Sequence, residues 1–181
     1  MANYDIMCAG FGGQGILFAG KVIANSGLID GRELSWMPSY GPEMRGGTAN
    51  CSVCLSDVAI GSPVVTKPDV LIAMNMPSYN KFVDVVKMGG VIIIDSSIAD
   101  IRCERDDVRF YRVPATQLAE EKGLSSLGNV IMVGKLLQVT GFSSLASLDE
   151  AIERSVSAKH TDLIEFNKQA LRVGFEHTDE D

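Results

Sequence analysis

The sequence lacks both an apolar run long enough to cross a membrane and an excess of basic residues. A membrane-spanning helix needs about 20 apolar residues in a row, and the 181-residue chain has no such run. Its formal net charge is −7, whereas domains that bind nucleic acid usually have a basic patch. The first residues also lack the basic segment of a secretory leader. We therefore expect a cytoplasmic protein that binds neither membranes nor nucleic acid.

Cysteine and histidine are scarce, which limits the metal and nucleophile chemistry to be expected. The four cysteines include one close pair, Cys51 and Cys54, in a segment that alternates like a strand. Side chains three positions apart on a strand face opposite ways, so we expect buried free thiols without a shared metal ion. An iron–sulfur cluster uses about four thiolates, typically in closely spaced runs. The two histidines, His160 and His177, lie outside the predicted core and match no catalytic triad pattern.

The length and composition predict one globular α/β domain. Hydrophobic residues make up 46% of the chain, which is enough for a sizeable core. We expect a single domain over residues 1–175 and an acidic flexible tail over residues 176–181. Strand-like and helix-like patterns alternate along most of the chain, which is typical of a sheet covered by helices.

The apolar periodicity also gives approximate element positions. It predicts strands at 4–9, 33–37, 49–55, 70–74, 91–94 and 110–113, and helices at 14–26, 78–86, 116–122, 130–141, 147–156 and 160–175. Gly27 is predicted to end the first helix, and Ser147 with Glu150 to open the fifth through a capping box. Residues 58–65 are predicted to form a hairpin with the third strand, because no helix separates the two segments.

A glycine-rich stretch joins the first predicted strand to the first predicted helix: Gly10-Phe11-Gly12-Gly13-Gln14-Gly15. In this context the glycines permit a tight turn, a close backbone approach and close packing of helix on sheet. The N–H groups at the helix start favour an anion such as a phosphate or a carboxylate. A close-packed turn that binds nothing is the alternative, and the motif alone leaves both interpretations open.

A dinucleotide-binding Rossmann protein is a second hypothesis for this motif. Such proteins place an acidic residue near the end of the second strand, where it holds the ribose hydroxyls. Here Asp30 and Glu33 stand at the beginning of the second predicted strand, and residues 38–40 follow its end. This arrangement argues against NAD.

The segment 38–48 is rich in Pro and Gly and is predicted to be a loop. It contains Tyr40, Glu43 and Arg45, and long loops in compact domains are commonly functional. We predict that it contacts a ligand or a partner. A surface connection with incidental charges is the alternative.

Asp95 and Asn129 are two further candidates. Asp95 follows a run of four β-branched residues that reads as a strand buried on both faces, and ligands of open α/β sheets bind at the carboxyl ends of strands. A turn or cap role is the alternative for Asp95. Asn129 precedes a helical pattern and could simply be its N-cap.

Together, the glycine motif and residues 39–47 resemble the gamma subunits of 2-oxoacid:ferredoxin (acceptor) oxidoreductases. Segments 89–97 and 113–116, and Asn129 with Gly134, are similar to the same family in order and spacing, and the likeness weakens after about residue 141. The resemblance implies a three-layer α/β/α Rossmann-like domain with a mixed, mostly parallel sheet, like domain III of pyruvate:ferredoxin oxidoreductase. The candidate binding residues are Gly10, Gly12, Gly13, Gln14, Gly15, Tyr40, Glu43, Arg45, Gly46, Gly47, Asp95 and Asn129.

The resemblance implies a multi-chain enzyme with alpha, beta and possibly delta subunits. Thiamine diphosphate and Mg²⁺ would lie between alpha and beta, iron–sulfur clusters would carry electrons to ferredoxin, and coenzyme A would take the acyl group. This chain would bind none of these cofactors alone and would not be catalytic by itself. The segment around Arg45 is most similar to the 2-oxoglutarate type, with pyruvate and branched-chain relatives close.

Two questions stay open at this stage. Arg45 could offer its cation to a coenzyme A phosphate, a substrate carboxylate or a partner carboxylate. The third hypothesis is a non-enzymatic assembly module, in which the glycine turn packs without a ligand and the isolated chain forms a homodimer.

Overall fold

The computed structural model of the chain describes residues 3–39, 48–98 and 102–178. The strands in these ranges are β1 Tyr4–Phe11, β2 Glu33–Ser39, β3 Thr48–Ser56, β4 Val70–Ala73, β5 Val91–Asp95 and β6 Arg109–Val113. The α-helices are α1 Ile16–Ile29, α2 Met76–Phe82, α3 Ala115–Glu121, α4 Gly128–Thr140, α5 Leu145–Ser155 and α6 Leu163–Glu176, and a 3₁₀ turn, Val83–Val85, extends α2. None of the helices in the described ranges is both long and apolar enough to span a bilayer.

The strands form one mixed sheet in the order β2-β3-β1-β4-β5-β6. β3 runs antiparallel to both of its neighbours, and the remaining pairs are parallel. β2 is therefore parallel to β1, but β3 lies between them. The predicted mixed, mostly parallel sheet is confirmed.

The predicted hairpin over residues 58–65 is wrong. No strand forms between β3 and β4 in the described chain. Cys51 of β3 pairs with Cys8 of β1 on one side and with Pro38 of β2 on the other. Both edges of β3 are thus occupied, and no row of backbone groups is left for a hairpin partner. The antiparallel pairing exists, but the middle strand of three supplies it.

The two faces of the sheet are covered unequally. On the helix-rich face, side chains such as Val53, Ile72 and Ile93 are buried beneath a layer that includes α1, α3 and α4. The α2 face buries a smaller cluster, with Leu71 and Ile92 packed near residues of α2 and the segment after it. Successive residues of a strand face opposite ways, so β5 contributes to both clusters. The predicted three-layer arrangement is confirmed.

Close helix contact explains two glycines on the helix-rich face. A Cβ on Gly174 of α6 would overlap the carbonyl oxygen of Ile131, and one on Gly134 of α4 would overlap that of Leu171. α4 and α6 can approach this closely because neither glycine has a side chain.

Two predicted helix boundaries are wrong, one because of side-chain packing and one because of hydrogen bonding. Gly27 does not end α1 but lies inside it, where a Cβ would collide with the side chain of Leu55. The N-cap of α5 is Ser144, whose Oγ accepts a hydrogen bond of 3.0 Å from the backbone N–H of Ser147. Ser147 instead donates its own hydroxyl to Asp30, so the predicted capping box does not form.

Candidate functional site

The glycine turn connects β1 to α1 at the carboxyl end of the parallel strands. Gly13 and Gly15 adopt positive φ angles of 96° and 71°, a conformation that glycine adopts most easily. Gly15 is the N-cap of α1, with no side-chain cap and no acidic residue in the first turn. The first N–H groups of this helix therefore have no capping side chain, and the helix dipole favours an anion beside them.

The side chain of Gln14 fixes the turn in place. Its Oε1 accepts hydrogen bonds from the backbone N–H of Phe11 at 2.7 Å and from Nδ2 of Asn75 at 3.1 Å. Its Nε2 donates to the carbonyl oxygen of Met74 at 3.0 Å. Asn75 is in turn the N-cap of α2, accepting from the N–H of Ser78. Gln14 thus joins the ends of β1 and β4, two neighbouring parallel strands.

Asn129 brings the start of α4 to the same turn. The alternative role as N-cap does not apply, because Asn129 is the second residue of α4 and Leu127 occupies the cap position. Its Nδ2 donates a 2.9 Å hydrogen bond to the carbonyl oxygen of Gly15. A Cβ on Gly15 would lie 2.5 Å from that nitrogen. The contact between Asn129 and the turn therefore needs glycine at position 15.

A cavity of about 300 Å³ opens between these elements, and we call it the strand-end cavity. Its lining includes Gly13, Gln14, Thr116, Glu120, Ser126 and Asn129. Among its described lining residues only Glu120 is charged. An anion in this cavity would therefore rely on the helix N-termini and on a cation from elsewhere.

A shallower hollow of about 270 Å³ adjoins the turn on the side of β3. It is lined by Gly12, Gly13 and Gly15 together with Ala49. The residues that flank 40–47 lie at this edge of the sheet, since Thr48 pairs with Phe11 and Ser39 with Asn50. The predicted site residues of that segment lie outside the described residues: Tyr40, Glu43, Arg45, Gly46 and Gly47.

Asp95 stands at the end of β5 and is 1% exposed. One carboxylate oxygen accepts from the backbone N–H and the hydroxyl of Thr116, and the other accepts from the N–H of Ser97 at 3.0 Å. Its carboxylate therefore joins β5 to the start of α3, as the cap interpretation expects. Ligand contact by Asp95 stays a prediction. Gly10 lies beneath the turn, where a Cβ would come within 2.7 Å of the Ile16 side chain.

Two residues of the site were missed at the sequence level. Asn75 had a usable signal, because an asparagine shortly before Pro77 is typical of a helix N-cap followed by a first-turn proline. Ser126 had no such sequence signal. In the structure it is an exposed residue with a positive φ of 69°, unusual for a residue other than glycine, and it lines the strand-end cavity.

The cysteines do not fit an iron–sulfur cluster. Cys8 and Cys51 are paired across β1 and β3 and are both fully buried, whereas Cys54 faces the other side of the sheet as predicted. The hydrogen bond between the thiols of Cys8 and Cys51 raises the pKa of Cys8 and lowers the pKa of Cys51. Burial raises the pKa of the Cys54 thiol. In the described ranges no cluster of three or more His, Cys, Asp or Glu side chains is arranged to hold a metal ion.

The geometry also disfavours a dinucleotide. Glu33 is at the start of β2, and the carboxylate of Asp30 accepts hydrogen bonds from the hydroxyls of Ser143 and Ser147. Because β3 separates β2 from β1, even the end of β2 is one strand further from the glycine turn than in the usual dinucleotide site.

Comparisons with known proteins agree with this architecture. The family model described as pyruvate ferredoxin/flavodoxin oxidoreductase matches residues 5–177. The ketoisovalerate oxidoreductase subunit VorA of Methanothermobacter marburgensis is 39% identical over 171 residues, which cover 93% of this chain and 35% of VorA. The 2-oxoglutarate synthase subunit KorC of Methanocaldococcus jannaschii is 37% identical over 169 residues, covering 91% of this chain and 90% of KorC. The chain thus spans little more than a third of VorA but most of KorC.

Two solved structures share the fold. The gamma subunit of a keto/oxoacid ferredoxin oxidoreductase from Geobacter sulfurreducens has a TM-score of 0.82 and 27% identity, covering 96% of each chain. A 2-oxoglutarate:ferredoxin oxidoreductase from Magnetococcus marinus, with 2-oxoglutarate, coenzyme A and succinyl-CoA bound, has a TM-score of 0.85 and 26% identity over 100% of this chain and 32% of that one. The resemblance inferred from the sequence is confirmed: the chain belongs to the pyruvate ferredoxin/flavodoxin oxidoreductase family, and within it to the gamma subunits of 2-oxoacid:ferredoxin oxidoreductases.

Proposed function

We propose that this chain works as the gamma component of a complex that oxidatively decarboxylates a 2-oxo acid, with coenzyme A accepting the acyl group and ferredoxin the electrons. The observation that supports this most is the strand-end cavity, where the family-like glycine motif and Asn129 meet. Thiamine diphosphate with Mg²⁺ and the iron–sulfur clusters supply the carbon and electron chemistry, and we assign them to companion alpha, beta and delta subunits.

In this proposal the chain's own residues bind and orient an anionic group. The starts of α1 and α4 offer N–H groups, and neither helix has an acidic residue in its first turn. Arg45 supplies the cation that the described cavity lining lacks, to a phosphate of coenzyme A or to a carboxylate of the oxo acid. Thr48, the residue after this segment, pairs with Phe11 beside the glycine turn, and Ser39, the residue before it, pairs with Asn50 of β3, which favours a role for Arg45 at this edge.

The oxo acid that we propose is 2-oxoglutarate. Several KorC proteins, named as subunits of 2-oxoglutarate synthase, match this chain over most of their length. Branched-chain 2-oxo acids are the second candidate, because the VorA proteins, which are named for ketoisovalerate, have about the same sequence identity to this chain as the KorC proteins.

The proposal is tested by producing the chain together with alpha, beta and delta chains and assaying the purified complex. We expect coenzyme A-dependent reduction of ferredoxin with 2-oxoglutarate, and a lower kcat/KM with pyruvate and ketoisovalerate. A higher kcat/KM with ketoisovalerate would overturn the substrate assignment. Failure to associate with any thiamine-dependent partner, or turnover by the isolated chain, would overturn the assignment as a gamma component.

Arg45→Ala in the assembled complex separates a site role from an assembly role. Losing one hydrogen bond to a charged group costs about 1.5–3 kcal/mol, so we expect KM for coenzyme A or the oxo acid to rise about 10- to 150-fold with assembly intact. Arg45→Lys should recover part of this loss. Arg154→Ala is the matched control, since Arg154 is a surface arginine paired with Glu150 on α5. Unchanged kinetics in Arg45→Ala would favour the assembly module.

A further inference from the structure

Cys8 and Cys51 are two thiols in contact with each other in the interior of the protein. They lie directly opposite in the register of β1 and β3, and both belong to the buried cluster on the helix-rich face. A hydrogen bond joins the two thiols, and both side chains are reduced and 0% exposed. Neither thiol lines the strand-end cavity, so the pair lies outside the site described above.

The backbone at this pair is compatible with a disulfide bond. Cα atoms of directly opposite residues in antiparallel strands are about 4.5–5.5 Å apart, and Cα atoms joined by a disulfide are usually about 4.4–6.8 Å apart. A bond between Cys8 and Cys51 therefore needs side-chain rotation and at most a small approach of the two strands, with the register unchanged. Cys54 has no cysteine opposite it, because its neighbours in the register are Asp5 and Ser35.

The two thiols differ as nucleophiles. The thiol of Cys8 and the indole N–H of Trp36 donate hydrogen bonds to the sulfur of Cys51, which lowers the pKa of Cys51. The proton of Cys51 itself points to the carbonyl oxygen of Ile16, 3.5 Å from Sγ. The same contact raises the pKa of Cys8. Because the thiolate is the attacking form in thiol–disulfide exchange, Cys51 is the better nucleophile of the pair.

Cys51 is also the thiol nearer to solvent. Trp36 lies on β2, an edge strand of the described sheet, and it is 36% exposed. A Cβ on Gly20 would lie 2.4 Å from Sγ of Cys51 and 3.0 Å from Nε1 of Trp36, so the indole covers the sulfur from the side of the edge strand. Local opening of an edge element requires less free energy than opening of the core. Opening at Trp36 therefore uncovers Cys51 first, since Cys8 is one strand further in.

We infer that Cys8 and Cys51 form a reversible oxidation site, which becomes a disulfide bond when the protein meets a low-molecular-weight disulfide. The thiolate of Cys51 attacks one sulfur of that molecule, which releases one small thiol and leaves a mixed disulfide on Cys51. Cys8 then loses its proton and attacks the sulfur of Cys51, which releases the second small thiol. Two protein thiols are oxidised and one external disulfide is reduced to two thiols.

This site is independent of the proposed oxidoreductase function, since its chemistry requires neither an oxo acid nor coenzyme A. Its place in the sheet is next to the glycine turn, because Gly10 pairs with Ala49 two residues along from Cys8 and Cys51. The disulfide would thus tie β1 to β3 immediately before the turn.

The test treats the folded full chain with bis(2-hydroxyethyl) disulfide at mildly alkaline pH, and then alkylates the remaining thiols in urea. We expect two of the four cysteines to escape alkylation, peptide mapping to find the bond between Cys8 and Cys51, and dithiothreitol to reverse it. Alkylation of all four thiols, a bond between other cysteines, or a bond that forms only when urea is present during oxidation would overturn the inference.

Two single variants test the order of attack. Cys8→Ser should stop at a mixed disulfide on Cys51, whereas Cys51→Ser should react at Cys8 about tenfold more slowly or worse. Equal rates of mixed-disulfide formation in the two variants would overturn the assignment of Cys51 as the attacking thiol. Alanine at either position repeats the test if the serine variant does not fold.

Two further variants test the access route and the specificity. Trp36→Ala removes the cover over Cys51 and should speed disulfide formation several-fold, and an unchanged rate would overturn the route past the edge strand. Cys54→Ser is the matched control, since Cys54 has no cysteine opposite it in the register. It should form the bond at the same rate as the unmodified chain, and loss of the bond in this variant would contradict the assigned pair.

Discussion

The helices that cover the two faces of the sheet are packed against it to different extents. On the helix-rich face, α4 and α6 approach to backbone contact at two glycines, and a single large cluster of buried side chains runs from β1 to α6. On the α2 face, a seven-residue helix and a 3₁₀ turn lie over a small cluster, and Met76 and Val85 of this cover are each 39% exposed. We conclude that the helix-rich face, whose helices α3 and α4 line the strand-end cavity, is the more rigid one.

Hydrogen bonds and an ion pair hold the thinner cover of the α2 face in place. Arg105 donates Nη1 to the carbonyl oxygens of Val83 at 2.7 Å and Val86 at 2.8 Å, and its guanidinium pairs with Asp107 at 2.6 Å. These bonds satisfy carbonyls at the end of the α2 cover that the short helix leaves without partners. The α2 face therefore depends on a few hydrogen bonds where the opposite face depends on packing, and local opening should be easier there.

The largest expected effect is at the α4–α6 contact. Gly174→Val puts side-chain atoms where the carbonyl oxygen of Ile131 lies, so we expect a loss of about 3 kcal/mol or more, enough to leave much of the chain unfolded. Urea unfolding followed by circular dichroism measures it. Gly61→Ala is the control, because a Cβ there meets no atom within 4 Å. A near-normal midpoint for Gly174→Val would contradict the close contact.

Neighbouring isoleucines of β5 allow a direct comparison of the faces. Ile93 points to the helix-rich face and Ile92 to the α2 face, and both are fully buried. We expect Ile93→Ala to cost about 4 kcal/mol and Ile92→Ala about 2.5 kcal/mol, since a thinner cover can collapse into the cavity left behind. Equal losses in urea unfolding would mean that the two covers are equally rigid.

A smaller effect is expected from Arg105→Met, which keeps much of the aliphatic stem and removes the hydrogen bonds. We expect a loss of about 1–2 kcal/mol, together with faster hydrogen exchange of the amides in α2. Amides of α4 should exchange as before, because the hydrogen bonds of Arg105 go to Val83, Val86 and Asp107, which lie outside that helix. Equal acceleration in both helices would contradict a separate, weaker α2 cover.

The smallest effect concerns pH. The hydrogen bond from Arg105 lowers the pKa of Asp107 below its usual 3.8, so this pair stabilises the α2 face above that value and loses its contribution as the pH falls through the lowered pKa. Amides of α2 should therefore lose part of their exchange protection between pH 5 and pH 3, after correction for the intrinsic pH dependence of exchange. In Asp107→Asn the corrected protection should change less with pH. An identical pH dependence in the two proteins would rule out this carboxylate as the cause.

Local patterns were enough to predict many elements but not their partners. The β-branched run of β5 and the alternation of β3 predict strands, and both are confirmed. The hairpin at 58–65 was wrong because a sequence pattern does not tell that both edges of β3 are already paired. Gly27 illustrates the same limit, since a glycine that ends a helix and one that lets a leucine pack against it look alike in sequence.

For the candidate site too, the local turn could be predicted from the sequence but its distant contacts could not. The glycine turn follows from its motif, and the structure has it between β1 and α1. Asn129 was named as a candidate site residue with a local cap role as the alternative, and neither interpretation foresaw that its amide contacts Gly15, which is 114 residues away. The contact of Gln14 with Asn75 spans 61 residues, and such distant pairs leave no trace in local periodicity. The contacts proposed for Tyr40, Glu43 and Arg45 stay predictions.

In the proposed function the glycine turn is one half of a binding site, and the three hydrogen bonds of Gln14 hold it in place before a ligand docks. A ligand that docks there does not have to order this half first, so little conformational entropy is lost at the turn itself. Chains that share the turn but prefer different oxo acids would therefore owe their selectivity to whatever approaches the ligand from the opposite side. Replacing Gln14 should weaken every ligand of the turn to a similar extent and leave the order of preference unchanged.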